Sequence, residues 1–258
     1  MKEWWQNFFT PITGEIMFST RAELSKPEVE QILKKTRPAD GSDILDLACG
    51  TGRHSFLFAK KGHQVIGLDY SKNFLQQAQV ERKRLKSKAV FVHGDMKNLK
   101  PHFSANRFDL VVSLYNSFGY FQKRSNDARM IKEVFRVLRP GGKFVINTLN
   151  GTCIGDRLKT PVSMGREPMP GVFMIDAASF DQKQKRTSSR WTLVDTRKGK
   201  TKIFRGEFQQ NVYLHSELRI LLKNAGFKIE TVWGLLPGGN FDEKKTWHQT
   251  IVAVKPKI

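Results

Sequence analysis

The chain has 258 residues, 39% of them apolar, and its 44 Lys+Arg against 24 Asp+Glu give a formal charge of +20. That length is one large α/β domain, or one domain carrying a substantial insertion, and it is enough to bury a full core. Only Cys49 and Cys153 are present, too few for a disulfide framework or a Cys-based zinc cluster, and no apolar run reaches the roughly 18 residues of a membrane span.

The first residues, MKEWWQNFFTPITGE, lack the apolar h-region and small-residue cleavage site of a secretory signal, so a cytoplasmic location is expected. Residues 4–37 read as one or two helices, the second with Glu28, Val29, Ile32 and Leu33 at helical spacing, lying over the site as a cap. Trp4, Trp5, Phe8 and Phe9 either dock this cap on the core, meet a membrane surface or hold a lipid-like acceptor. From Asp43 onward, short Val-, Ile-, Leu- and Phe-rich runs alternate with segments of helical period, the pattern of a parallel sheet covered by helices. Strands are expected at Ile44–Leu47, Gln64–Leu68, Ala89–His93, Phe108–Ser113 and Lys143–Thr148. Helices are expected near Arg53–Lys61, Lys72–Lys86 and Asn126–Leu138, the last stopped by Arg139-Pro140-Gly141-Gly142. Gly, Pro and Met dominate from Gly151 to Gly171, and β-like runs follow at Val172–Phe180, Ser189–Thr196 and Thr201–Tyr213, an insertion of antiparallel character. A helix at Glu217–Asn224 and a strand at Phe227–Leu236 resume the first pattern, and Thr250–Val254 closes the chain antiparallel to its predecessor. The expected division is a helical cap over 1–38, a core over 39–150 and 213–258, and the insertion over 151–212.

The positive charge is spread along the chain but thickens at Arg82, Lys83, Arg84, Lys86 and Lys88, and from Lys183 to Arg205, where nine bases face Asp195 alone. Such a distribution is either a solvated basic face or an attraction for RNA, a phospholipid surface or an acidic metabolite.

The sharpest feature is a strand, Ile44–Leu47, running through Ala48-Cys49-Gly50-Thr51-Gly52 straight into a helix. Small residues let the backbone turn tightly against a ligand, and the helix N-terminus offers N–H groups to negative charge. A Gly-x-Gly loop alone suits several nucleotides, but the third glycine of the dinucleotide pattern is missing here, which weakens a pyrophosphate reading. An acid ends the next strand in Val65-Ile66-Gly67-Leu68-Asp69, where a carboxylate accepts both hydroxyls of a ribose. Another follows the third strand in His93-Gly94-Asp95-Met96, where it takes an exocyclic adenine amine, with Met96 against the ring. Each has a plainer reading: Asp46 as a cap of the loop, Asp69 as a cap of the helix near Lys72, Asp95 as the start of a turn.

Together the motifs ILDLACGTGRHS, VIGLDYS, VHGDM, FDLVVSLYNSFGYF, EVFRVLRPGGKFVINTLN and ELRILLKNAGF make the chain resemble the class I S-adenosylmethionine-dependent methyltransferases, over Asp43–Asn150 and more loosely over Tyr213–Lys255. The resemblance implies a Rossmann-like, seven-stranded, mostly parallel α/β sheet with an antiparallel last strand, an N-terminal helical cap and a β-rich insertion of the kind found as a lid in small-molecule methyltransferases. It implies S-adenosylmethionine as cofactor, with Asp46, Ala48, Gly50 and Gly52 around its methionine part, Arg53 at the carboxylate, and the Leu114 carbonyl at the ammonium. Asp69, with Tyr70 beside it, would hold the ribose, and Asp95 with Met96 the adenine. Ala48 stands where the first glycine is commoner, and Met17 and Phe18 stand where relatives often have tyrosine.

The transferred methyl is already activated by its sulfonium, so no fixed catalytic residue is demanded. The loop Tyr115–Phe121 would lie beside the methyl, which makes Tyr120 a candidate, and His215 is the candidate general base at a strand-to-helix turn. This loop lacks the Asn- or Asp-Pro-Pro-aromatic sequence of amino-group nucleic-acid methyltransferases, and the chain has no Pro-Cys pair for C5 methylation. The expected acceptor is therefore a small or medium-sized metabolite, to which Arg190, Trp191 and Arg205 of the insertion could contribute. RNA methylation through the basic surface and a non-catalytic, cofactor-binding regulator are the alternatives; no metal site is expected.

Overall fold

The structure is a computed structural model and describes residues 4–19 and 23–257; the side chains of Gln6, Asn7, Phe18 and Ser19 lie outside what is described. Three helices come first, α1 (Trp5–Phe8), α2 (Pro11–Ser19) and α3 (Ser25–Thr36), where one or two were expected. Then follow β1 (Asp43–Leu47), α4 (Arg53–Lys60), β2 (Gln64–Asp69), α5 (Lys72–Arg84), β3 (Val90–His93), β4 (Phe108–Ser113), α6 (Arg124–Val137) and β5 (Leu138–Leu149). After α7 (Gly151–Arg157) come β6 (Val162–Met169), β7 (Val172–Asp181), β8 (Arg186–Asp195) and β9 (Lys202–Asn211), and then α8 (His215–Asn224), β10 (Lys228–Trp233) and β11 (His248–Val254).

Seven strands form one sheet in the order β10-β11-β5-β4-β1-β2-β3. All are parallel except β11, which runs antiparallel to both β5 and β10. The apolar runs are nearly continuous because both faces of this sheet are covered. Leu45, Leu47, Val111, Phe144 and Ile146 pack with Met130, Val134 and Leu218 of α6 and α8. Their neighbours Ile44, Leu110, Val112 and Val145 point the other way, onto Val29, Ile32 and Phe58 of α3 and α4. Among the described residues no helix is long and apolar enough to cross a membrane.

Two expectations are corrected here. The stretch Arg139–Gly142, read as a helix stop, already belongs to β5: Leu138 pairs with Phe108, and the extra residues are absorbed in a bulge before Lys143 meets Leu110. Gly141, with φ at +81°, donates to the Lys255 carbonyl at 2.7 Å, and Lys255 donates back to Gly142 at 2.9 Å. The Gly- and Pro-rich stretch after Asn150 holds α7 and β6 rather than irregular chain. Asn150 caps α7 by accepting from Thr152 N–H, and Ile154 and Leu158 bury against Val212 and Phe180. Strand β6 lies at a sheet edge, where Pro168 sits in a bulge between Arg166 and Met169 and spoils no inner ladder.

Strands β6 to β9 form a second, antiparallel sheet. Its inner face carries Val172, Met174, Trp191 and Leu193, which pack on Phe8 and Ile16. Helices α1 and α2 are thus held between the second sheet and the main one.

Lys255, just beyond β11, ties the end of the chain to α6 and β5. Its Nζ donates to Asn106 Oδ1 (2.8 Å) and to the carbonyls of Phe135 (2.9 Å) and Leu138 (2.7 Å) at the end of α6. Lys255→Met is expected to leave these acceptors unpaired and lower the unfolding free energy by about 2 kcal/mol, measured by urea denaturation with an unchanged m-value.

Candidate active site

The carboxyl ends of β1, β2, β3 and β4 face one cleft of about 950 Å³, part of it open to solvent. The chain leaves β1 through Ala48 at φ +55° and Gly50 at +58°, and reaches the α4 N-cap at Gly52, φ +82°. Ala48 adopts the conformation that glycine favours, which accounts for the commoner glycine at that place. Gly52 does not line the cleft. A Cβ there would lie 2.5 Å from the Phe91 ring, so its smallness lets the loop close against β3.

The loop is laced to its neighbours by backbone hydrogen bonds. Cys49 N–H donates to the Leu68 carbonyl at 3.1 Å, and Gly94 N–H to the Asp69 carbonyl at 3.0 Å. Asp69 Oδ2 accepts from Gly50 N–H at 2.8 Å and Oδ1 from Ser71 N–H at 2.7 Å. The cap of α5 is Ser71, which accepts from Phe74 N–H, and not Asp69. Asp46 accepts from Ser55 Oγ at 2.6 Å. Burial pushes the Asp46 carboxyl up to about 7, against the opposing Ser55 hydrogen bond. Burial likewise raises Asp69, against its backbone donors, and raises the Cys49 thiol. Asp95 starts a turn, accepting from Lys97 N–H at 3.0 Å and pairing with the Lys97 ammonium, and it also lines the cleft beside Met96.

After β4, Tyr115 and Asn116 adopt φ of +53° and +62°, and Ser117 donates to the Leu114 carbonyl from both N–H and Oγ. The following loop is held by its carbonyls. Gln210 Nε2 donates to Asn116 (2.9 Å) and Phe118 (2.7 Å), Asn211 N–H to Gly119 (2.7 Å), Asn211 Nδ2 to Phe121 (2.7 Å), and Trp4 Nε1 to Tyr120 (3.1 Å). At Gly119, φ +99°, a Cβ would lie 2.3 Å from the Asn211 carbonyl, so glycine alone fits.

Asp46, Ala48, Gly50, Arg53, Asp69, Tyr70, Asp95, Met96, Leu114 and Tyr120 therefore share one cleft. His215 is not among its lining residues: the ring is held at 2.9 Å by Gln249 Oε1 and lies 4.8 Å from Phe241. Proximity of the α8 start to β11 decides this, and nothing local in the sequence reveals it. Arg190, Trp191 and Arg205 are likewise absent from the lining: Arg190 pairs with Glu207 and Arg205 with Thr192 on one face of the second sheet, and Trp191 on the other packs with Phe8. Met17 does line the cleft.

The sequence reading misses two groups. One is Phe74, which joins Trp5 and Phe9 of the first segments and Phe121 of the loop after β4 in one wall of the cleft. The other is Glu28, 1% exposed and read only as part of a helical stripe. Tyr115 Oη donates to its Oε1, and His54 Nε2 lies 2.8 Å from Oε2. The Arg53 guanidinium lies 3.9 Å from that oxygen, donates to Ser25 Oγ at 2.8 Å, and stands 4.3 Å over the Tyr115 ring. Burial holds the His54 ring below its usual value. A carboxylate among apolar residues on a buried helical face is the signal that was available.

Residues 44–142 match the family model described as a methyltransferase domain. The cypemycin N-terminal methyltransferase of a Streptomyces species is 28% identical over 78% of this chain and 79% of its own. Residues 44–142 are thus a methyltransferase domain, of the S-adenosylmethionine-dependent kind that the chain resembles. A methyltransferase structure from Clostridium acetobutylicum superposes with a TM-score of 0.80 at 19% identity, over 98% of this chain and 99% of that one. The dTDP-3-amino-3,4,6-trideoxy-alpha-D-glucopyranose N,N-dimethyltransferase of Streptomyces venezuelae is 33% identical over 44% of this methyltransferase, which spans 45% of that relative. Against the Bacillus subtilis putative methyltransferase the identity is 37%, and 39% of that protein's length is spanned.

The cleft fits S-adenosylmethionine in the chemistry of its lining: carboxylates at or beyond successive strand ends, the Arg53 cation and the Met96 thioether all face it. Asp46 also makes stability depend on pH. Its carboxyl is raised in the folded state, so its contribution is complete below its unfolded value near 3.8 and is lost as pH rises through about 7. Between those values the ligand-free protein is expected to lose about 1.4 kcal/mol per pH unit through this group. Urea denaturation of wild type and Asp46→Asn across this range checks it, the variant lacking that part of the slope.

Proposed function

We propose that this methyltransferase moves the methyl group of S-adenosylmethionine to an amine nitrogen of a small metabolite bearing an apolar or ring face. The observation that carries the reading is the wall opposite the strand ends. Phe74 and Phe9 (5.6 Å), Phe9 and Tyr120 (5.9 Å), and Trp5 and Phe121 (6.5 Å) are in ring contact, and Met17 stands beside them. That wall carries no carboxylate, imidazole or amine, so the acceptor must bring its own lone pair. An amine does so in its neutral form, whereas an alcohol would need a base. Two of the relatives above, the N-terminal methyltransferase and the amino-sugar N,N-dimethyltransferase, support nitrogen as the target.

In this reading Asp69 uses the lone pairs left by Gly50 and Ser71 to accept from the ribose hydroxyls, with Tyr70 at its side. Asp95 accepts from the adenine amine, and Met96 lies on the ring. Arg53 meets the carboxylate, and the Leu114 carbonyl, shared with Ser117, takes the ammonium. Asp46, Ala48 and Gly50 bound the methionine arm, and Gly52 supports the loop from behind. The cofactor supplies a methyl activated by positive sulfur. The nitrogen lone pair forms the new C–N bond, the C–S pair goes to sulfur, and the product ammonium sheds its proton to solvent. Tyr120 orients the acceptor, and His215 has no part. Residues 151–212 act as a lid whose inner strand ends fix the acceptor loop, with specificity set there and in α1–α2.

The test is incubation with methyl-labelled S-adenosylmethionine and matched amines, phenols, quinols and tRNA, followed by mass spectrometry. Label on amine nitrogen is expected. Label confined to a nucleoside, or to carbon or oxygen of the other acceptors, would overturn the reading.

A further inference from the structure

We propose that Glu28 of α3 is a positioning residue for the donor site, setting Arg53 and Tyr115 for the carboxylate end of the S-adenosyl ligand. The inference rests on the reading that Arg53 meets that carboxylate. Glu28 does not itself line the cleft; Arg53, His54 and Tyr115 do, and all three lie against its carboxylate. These residues come from two separate segments, Arg53 and His54 from the start of α4 and Tyr115 from the loop after β4, so a single side chain from the N-terminal helices registers both with each other.

The geometry divides the work. Glu28 Oε1 takes the Tyr115 hydroxyl, which fixes a ring whose backbone stands at φ +53°, a region that costs a non-glycine residue about 1 kcal/mol. That ring is the platform 4.3 Å under the guanidinium, and Ser25 Oγ, three residues before Glu28, fixes the guanidinium's edge at 2.8 Å. With a carboxylate as partner, His54 Nε2 carries the hydrogen and donates to Oε2 at 2.8 Å, in keeping with a ring that burial holds neutral. Arg53 at 3.9 Å is beyond hydrogen-bond reach of Glu28, and the nearby charge keeps the guanidinium in place. A buried carboxylate costs several kcal/mol in desolvation, and an apolar residue on this stripe beside Val29 and Ile32 would pack more cheaply. Placing three cleft side chains is what the carboxylate does and an apolar residue would not.

The experiment compares S-adenosylhomocysteine with 5′-methylthioadenosine, which shares the nucleoside and sulfur but has no amino-acid arm, by calorimetry on the full chain. Glu28→Gln is expected to weaken S-adenosylhomocysteine about tenfold and to change methylthioadenosine less than about twofold, one amide oxygen being unable to replace both carboxylate acceptors. Arg53→Gln is expected to show the same selectivity, and the double variant to lose little beyond Arg53→Gln alone, because Glu28 acts through Arg53. Equal losses for both ligands in Glu28→Gln, or no loss for either, would overturn the proposal while Arg53→Gln stayed selective. A non-selective Arg53→Gln would instead overturn the placement of the ligand carboxylate on which it rests. Should Glu28→Gln not fold, Tyr115→Phe removes only the hydroxyl bond, and a selective loss of about threefold is expected, no selectivity counting against the proposal.

Discussion

The buried carboxylate of Asp69 is the tie on which the geometry of the cleft depends. Register alone brings Leu47 opposite Leu68 at the ends of β1 and β2, but the sheet's own hydrogen bonds stop there. Beyond that point the chain must turn tightly through residues at positive φ, and it is Asp69 that receives Gly50 N–H on one oxygen and Ser71 N–H on the other, while its backbone carbonyl receives Gly94 N–H. Three strand ends are thereby fixed with one another. The tie is costly, since burial raises this carboxyl and Asp46 nearby, and that cost is offset by backbone donors that would otherwise have no partner. A carboxylate accepting one bond on each oxygen still has lone pairs to offer, so a single group serves both the fold and a ligand.

A second set of constraints surrounds the first. The loop after β4 presents its carbonyls, and those of Asn116, Phe118, Tyr120 and Phe121 are taken by side chains from outside the parallel core: Gln210 and Asn211 at the end of β9, Arg186 on β8, and Trp4 ahead of α1. Asn211 Nδ2 and Tyr213 Oη also share Asp127 Oδ2, at 2.7 and 2.8 Å, at the start of α6. The second sheet and the acceptor loop therefore move as one piece. Helices α1 and α2, clamped between the sheets by Phe8, Ile16 and Trp191, complete the aromatic wall. On the proposed assignment, the donor is recognised by the strand ends and α3, and the acceptor by these later layers.

This division explains what was legible in the sequence. Parallel strands buried on both faces announce themselves as apolar runs, so β1, β2 and β4 fall within a residue of their expected places, and the loop and acids between them follow in order. The strand β6 was hidden by Gly165 and Pro168, which an edge position tolerates, and α7 by its glycines, which tertiary packing and the Asn150 cap override. The early start of β5 was hidden because Pro140-Gly141-Gly142 normally ends an element and here forms a bulge paired to Lys255. Glu28 and Lys255 act through partners far away in sequence, and neither periodicity nor motif spacing reports such distances. His215 failed for the same reason in reverse: its local setting at a strand-to-helix turn was read correctly, but the turn opens toward Gln249 and Phe241.

The account's central claim is that the cleft at the strand ends is built for an adenosyl group with an amino-acid arm and not for a pyrophosphate. Titrating the purified protein with S-adenosylmethionine and, separately, with NAD in a calorimeter tests it most directly. One site per chain for S-adenosylmethionine with no heat from NAD is the result the structure predicts. Binding of NAD with none of S-adenosylmethionine would contradict it.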